Sequence, residues 1–256
     1  MRIGCVISDS SQLAWAAECD FDYLEAKGDF ILQLSRADSR DNLSALEHYA
    51  FEAMTSPLPR ELGARIVGND ADHKYALKIL TQMLDLSAMI GVRKIVLGCG
   101  QARNIPHYFQ RKLACQQFIA FIKKASLISM ERKQKLSIEP LHRGETNFIN
   151  SCAEAKKLIS GISEVAITVD CYHICSEKLS IDDELDNSKI MHAHTSYLPR
   201  GSGLFYEEYQ CAFLRKLQEI GCHSISIEER FESKESMYAF LSQLRILSSN
   251  NPGGEI

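Results

Sequence analysis

Four short segments in the second half of this chain share a pattern that few folds accommodate. Each alternates like a β-strand and ends in a residue able to bind a metal ion. They are Leu136-Ser-Ile-Glu139, Val165-Ala-Ile-Thr-Val-Asp170, Ile190-Met-His-Ala-His194 and His223-Ser-Ile-Ser-Ile-Glu228. Strand side chains alternate between two faces, so counting back in twos from each last residue stays on one face. That face reads Ser137/Glu139, Ala166/Thr168/Asp170, His192/His194 and Ser224/Ser226/Glu228, while Leu136, Ile138, Val165, Ile167, Val169, Ile225 and Ile227 take the other. Four strands that are apolar outward and small or polar inward, each tipped by Glu, Asp or His, predict a barrel with one metal at its mouth.

The rest of the chain extends this pattern to eight strands. Strand-like runs lie near 2–8, 22–26, 49–55, 93–98, 135–140, 164–170, 189–194 and 222–228. Apolar residues spaced by three and four predict helices over 70–90, 107–131, 151–161, 205–220 and 231–248. Asp70 and Ser151 stand where helix N-caps belong. Gly91 and Gly221 stand where a left-handed residue would close a helix before the next strand. Alternating strands and helices imply a parallel sheet, and eight units close a (β/α)8 barrel. The 256 residues suit one such α/β domain of about 250 residues. The expected organisation is a single barrel over 1–248 and a flexible C-terminal tail over 249–256. The early units are the least regular: 27–48 is poorly patterned, and 56–69 reads as a loop rich in Pro and Gly.

Charge and cysteine usage narrow the setting. A net charge of −4 gives no electrostatic case for nucleic acid or an acidic membrane surface. No apolar run approaches the ~20 residues of a membrane span, and the N-terminal apolar stretch is too short for a signal peptide. The nine cysteines are odd in number and lack CxxC spacing, which favours reduced thiols in a cytoplasmic protein.

In barrels of this kind the C-terminal strand ends converge on one mouth. Glu139, Asp170, His194 and Glu228 would offer three carboxylates and one imidazole there. Such an oxygen-rich set suits one Mn²⁺, Co²⁺ or Mg²⁺ ion better than a closed zinc site, with Zn²⁺ as the alternative. Open coordination positions would admit two oxygens of a hydroxy-ketone. Metal polarisation of the carbonyl acidifies the adjacent C–H and stabilises an enediolate. Glutamates from strands five and eight would remove a proton and return it, either inverting a centre or exchanging ketose and aldose.

The motifs Ile138-Glu-Pro-Leu-His-Arg-Gly-Glu-Thr-Asn147, Val169-Asp-Cys-Tyr-His173, His192-Ala-His194 and Ser226-Ile-Glu228 resemble the xylose isomerase-like sugar isomerase and epimerase family. That family shares its barrel with endonuclease IV. Leu97-Gly-Cys-Gly-Gln-Ala-Arg-Asn-Ile-Pro106 and Phe21-Asp-Tyr-Leu-Glu25 add to the likeness. The resemblance implies that Glu139, Asp170, His194 and Glu228 are metal ligands, with Glu139 and Glu228 also the acid/base pair. It implies that Glu145 and His173 bind substrate hydroxyls, and that Arg200 contacts substrate. The Arg200 loop departs from the family pattern: Tyr197 stands where an acid is usual, and Gly201 and Gly203 come early. The implied partner is a sugar or keto-polyol, and the family often forms homodimers.

Other residues carry more than one reading. Glu229 rivals Glu228, but parity with Ser224 and Ser226 favours Glu228. His192 points inward two residues deeper and reads as a core or supporting histidine. Glu25 either approaches the pocket or is a solvated or ion-paired acid at a strand end. Arg103, Arg143 and Arg200 leave the expected rim, where they would bind an anionic substrate or remain solvated. Cys171 and Cys175 read as packing residues, and Gly98/Gly100 as a tight turn. Dehydration of a keto-polyol needs the same metal and base. A hydrolase like endonuclease IV, a metal-dependent phosphodiesterase, would need three zinc ions and histidines ending strands two to four, and His48, His73 and His107 lie elsewhere. A sugar-binding barrel without turnover is the third alternative.

Overall fold

The computed structural model describes residues 1–36, 45–186 and 189–249. Eight strands, β1 (Arg2–Ile7), β2 (Tyr23–Lys27), β3 (Phe51–Thr55), β4 (Lys94–Leu97), β5 (Lys135–Ile138), β6 (Ala166–Asp170), β7 (Ile190–Thr195) and β8 (Ser224–Ile227), pair in parallel in chain order. β8 returns to β1, with Ile3 opposite Ile225, which closes the barrel. The fold is a single (β/α)8 TIM barrel.

Helices α1 (Ser10–Glu18), α2 (Gly28–Arg36), α3 (His73–Met89), α5 (Arg111–Glu131), α6 (Cys152–Ile159), α9 (Glu207–Glu219) and α10 (Lys234–Ser249) cover the outside. Three short helices, α4 (Gly100–Arg103), α7 (Cys171–Ser176) and α8 (Ile181–Leu185), follow strands at the mouth or along its flank. Each of these is too short to show an apolar period. Ile225, Ile227, Ile167, Val169, Ile138 and Leu136 point outward and are buried beneath the helices with Phe118, Phe121, Phe213 and Phe240. Among the described residues no helix is long and apolar enough to cross a membrane.

Local chemistry sets the helix ends. Ser151 caps α6 by accepting from the Glu154 N–H at 3.2 Å. α3 is capped by Asp72, which accepts from the Tyr75 N–H at 2.9 Å. This corrects the expectation for Asp70, whose carboxylate instead lies 3.4 Å from Arg65 Nε. The helix expected from 107 starts at Arg111, because Pro106 to Phe109 forms a turn closed by the Phe109 N–H on the Pro106 carbonyl. Gly91 and Gly221 adopt φ of +91° and +74°, the left-handed conformation that ends α3 and α9. α10 runs through Ser249, so the expected tail loses its first residue to the helix and otherwise lies outside the described residues.

Candidate metal centre and active-site pocket

Strand parity delivers the three strand-end acids and the histidine to one point. Asp170 pairs with His194 across β6 and β7, and His194 with Ser226 across β7 and β8, so their side chains share a level. Ligand atoms of Glu139, Asp170, His194 and Glu228 all lie within 4.8 Å of one another, a set that can hold a metal ion. His194 Nδ1 is 3.0 Å from Glu139 Oε1 and 3.4 Å from Glu228 Oε2. Glu139, Asp170 and His194 are buried, and Glu228 closes the open side.

Each of these side chains is held from behind. Asp170 uses Oδ1 to cap α7, accepting the Tyr172 N–H at 2.7 Å, and leaves Oδ2 to the pocket. The same helix turn brings His173 back over the site, its Nε2 3.6 Å from Asp170 Oδ2. Glu139 Oε2 occupies space beside Gly98 that any Cβ there would fill. Arg200 Nη2 reaches Asp170 Oδ2 at 2.6 Å and Glu228 Oε2 at 3.2 Å, with its guanidinium 4.7 Å from the Tyr172 ring centre.

These contacts polarise the site. Burial pushes the Glu139 carboxyl up to about 7, despite the opposing pull of His194. Burial acts on Glu228 in the same direction, but Arg200 and His194 outweigh it and hold that carboxyl below the usual range. His194 is raised well above an ordinary imidazole, because Glu25 and Glu139 overcome the cost of burying its charge. Three carboxylates thus draw positive charge to one spot, from an imidazolium and a guanidinium. The donor set of three oxygens and one nitrogen fits a divalent cation, which Glu139, Asp170, His194 and Glu228 could hold.

A cavity of about 610 Å³ opens above these residues, within the range of small-molecule sites. Glu145, His173 and Arg200 line it together with Glu139 and Glu228. Burial pushes the Glu145 carboxyl up. Burial also lowers His173 to about 4, so the ring is neutral; its Nδ1 sits 3.0 Å from His142 Nδ1.

Two expected rim residues are elsewhere. Arg103 belongs to α4 and is fully buried, donating to the Leu97 carbonyl at 3.2 Å and the Glu139 carbonyl at 2.7 Å. It braces the backbone of Glu139 instead of lining the cavity, because α4 turns its side chain under the mouth. Arg143 points away from the cavity and pairs with Glu177. Lys27 takes the position they were expected to fill. It lies two residues beyond Glu25 on the inward face of β2, lines the cavity, and was legible from the same alternation that found Glu139. Glu229 is buried against the Arg200 loop, accepting from the N–H groups of Tyr197, Gly201 and Arg230. Glu25 is neither solvated nor at the rim; it lies inside the barrel, bound to His192 and His194. β2, β3 and β4 end in Lys27, Thr55 and Leu97, and His73 Nε2 meets the Ile66 carbonyl at 2.9 Å, so no histidine tips these strands as a three-zinc cluster requires.

The chain is thus a closed parallel α/β barrel with an acidic, histidine-containing pocket at the C-terminal mouth of its strands. The chain belongs to the xylose isomerase-like TIM barrel family, whose sequence model matches residues 13–245. No curated protein matches the chain by sequence. Its fold is similar to D-psicose 3-epimerase from Clostridium cellulolyticum H10, solved with D-tagatose: TM-score 0.80, 16% identity, covering 97% of this chain and 99% of that one. It is also similar to 3-keto-D-glucoside 4-epimerase from E. coli, with TM-score 0.74, 18% identity and coverage of 96% and 99%. The IolI protein solved with a zinc atom gives TM-score 0.75, 14% identity and coverage of 99% and 100%.

Proposed function

We propose that this protein is a divalent-metal-dependent isomerase or epimerase acting on a sugar, keto-polyol or related hydroxy-ketone. The observation that carries the reading is the convergence of Glu139, Asp170, His194 and Glu228 beneath a sugar-sized cavity. A bound Mn²⁺, Co²⁺ or Mg²⁺ ion supplies Lewis-acid polarisation to the substrate carbonyl. The chain's own groups do the rest. Glu139 and Glu228 reach the pocket from strands three places apart around the barrel, so they address different faces of a bound ketose. One carboxylate takes the proton from the carbon beside the carbonyl, leaving an enediolate, and the other carboxylic acid gives a proton back. Return to the same carbon from the other face gives the epimer; return to the neighbouring carbon gives the aldose. Neutral His173 and Glu145 stand where substrate hydroxyls would be bound, and Arg200 and Lys27 offer N–H donors to substrate oxygens. The epimerases among the similar structures support this class, and the IolI zinc atom supports a metal in it.

The test is solvent exchange. Mn²⁺-loaded protein incubated with a panel of ketoses in D₂O should incorporate deuterium beside the carbonyl of at least one, and Glu139→Gln and Glu228→Gln should each lose this exchange by at least ~100-fold. Absence of exchange across ketoses, keto-polyols and their phosphates would count against the proposal.

A further inference from the structure

TIM barrel interiors are usually packed with branched apolar side chains. Here the axis instead carries a continuous hydrogen-bonded file, starting near the N-terminal face and ending at the metal centre. Lys94 Nζ, at the start of β4, is 2.9 Å from Ser224 Oγ. Ser224 Oγ is 3.2 Å from His192 Nδ1, and His192 Nε2 is 2.8 Å from Glu25 Oε2. Both Glu25 oxygens lie 3.1 Å from His194 Nε2. Nδ1 of the same ring then faces Glu139 and Glu228. Glu25, His192 and His194 are completely buried.

The chemistry at two points fixes the direction of the whole file. A lysine ammonium only donates, and an ionised carboxylate only accepts. Lys94 therefore donates to Ser224, whose single hydroxyl hydrogen passes on to His192 Nδ1. With Nδ1 accepting, the His192 ring carries its proton on Nε2 and donates it to Glu25. Glu25 accepts again from His194, which fixes a proton on Nε2, so the proton that a cation would displace from this imidazolium is the one on Nδ1. The nitrogen left to bind a cation is Nδ1, and it is the one turned toward Glu139 and Glu228. A buried carboxylate without donors would be strongly destabilising, so Glu25 is tolerated here because two imidazole N–H groups converge on it.

We infer that Glu25 is a positioning residue for the metal centre: backed by His192, Ser224 and Lys94, it holds His194 through Nε2–H and presents Nδ1 to the cation. The inference rests on the metal reading above and adds to it a residue that touches neither metal nor substrate. Supporting groups behind a ligating histidine typically change metal affinity 10- to 100-fold when lost. Glu25→Gln replaces an acceptor pair by one acceptor and one donor, so one of the two imidazoles must turn or lose its partner.

The deciding experiment is Zn²⁺ titration of chelator-treated wild type, Glu25→Gln and Lys94→Met, with ¹⁵N spectra of the histidine rings of the Zn²⁺-loaded wild type. The wild type should bind one ion with His194 protonated at Nε2 and metallated at Nδ1. Glu25→Gln should bind about 10- to 100-fold more weakly, and Lys94→Met should shift the ring signals of His192. Wild-type affinity in a folded Glu25→Gln, or metallation of His194 at Nε2, overturns the inference while leaving the metal centre standing. No uptake by the wild type overturns both. Should Glu25→Gln fail to fold, the wild-type ring spectrum alone decides.

Discussion

A methyl group on Gly98 would stand 2.1 Å from Oε2 of Glu139, so the residue that follows β4 is shaped by the carboxylate that follows β5. Gly98 therefore does more than close the tight turn read from the sequence: it leaves room for the Glu139 carboxylate. Gly98→Ala should force Glu139 from its place, lowering metal affinity and solvent exchange by ~100-fold. The accompanying loss of stability should be about 1–3 kcal/mol. Calorimetric metal titration beside urea unfolding separates the two effects.

Glu229 makes a second prediction. Its carboxylate gathers the N–H groups of Tyr197, Gly201 and Arg230, which sets the path of the loop bearing Arg200. Glu229→Ala leaves those donors without a partner and should cost about 1–3 kcal/mol. Arg200 then loses its fixed approach to Asp170 and Glu228, and KM for an exchanging ketose should rise. Glu229→Gln, which retains one accepting oxygen, should recover part of both losses.

The two arginines outside the cavity should respond in opposite ways. Arg143 is exposed while the Glu177 carboxylate it meets is mostly buried and also accepts the Arg143 backbone N–H, which alanine keeps, so Arg143→Ala should cost about 1 kcal/mol and leave KM unaltered. Arg103 is sealed beneath the mouth on two carbonyls, one of them that of Glu139. Arg103→Met should lower stability by about 2–4 kcal/mol, read from the denaturation midpoint. A change in KM without a change in stability at Arg103 would argue that it meets substrate after all.

The cysteines give a pH-dependent prediction. Burial pushes Cys99 up to about 12 and Cys222 up to about 11, and raises Cys5 and Cys171 as well. Only the thiolate alkylates, and its fraction grows as pH rises toward these values. In the folded protein at pH 8 iodoacetamide should label partly exposed Cys115 well before any of these four. Raising the pH should speed Cys222 before Cys99, and denaturant should equalise all of them, as peptide mass mapping would show.

The sequence was most informative where alternation and chemistry coincided. Two-residue counting along 136–139, 165–170, 190–194 and 223–228 put Glu139, Asp170, His194 and Glu228 on the inward face, where the barrel has them. The same counting along 23–27 would have brought Glu25 and Lys27 inside, but a single acid at the end of one strand carries no pattern of its own. What makes Glu25 recognisable is the pair of imidazoles on β7, three strands away around the barrel. Arg103 looked like a rim residue because it follows a strand in a polar stretch; one helical turn, too short for any period, rotates it under the mouth. Asp70 was the expected cap of α3, but the path of the loop from Arg65 engages its carboxylate and leaves the cap to Asp72.

The proposed function requires one catalytic cation held by Glu139, Asp170, His194 and Glu228. Elemental analysis of metal per chain, on wild type and on Glu139→Gln/Glu228→Gln after incubation with Mn²⁺ or Co²⁺, tests it most directly. One divalent ion per wild-type chain, lost in the double variant, is the expected result. No bound ion in the wild type, or an undiminished ion in the double variant, would contradict it.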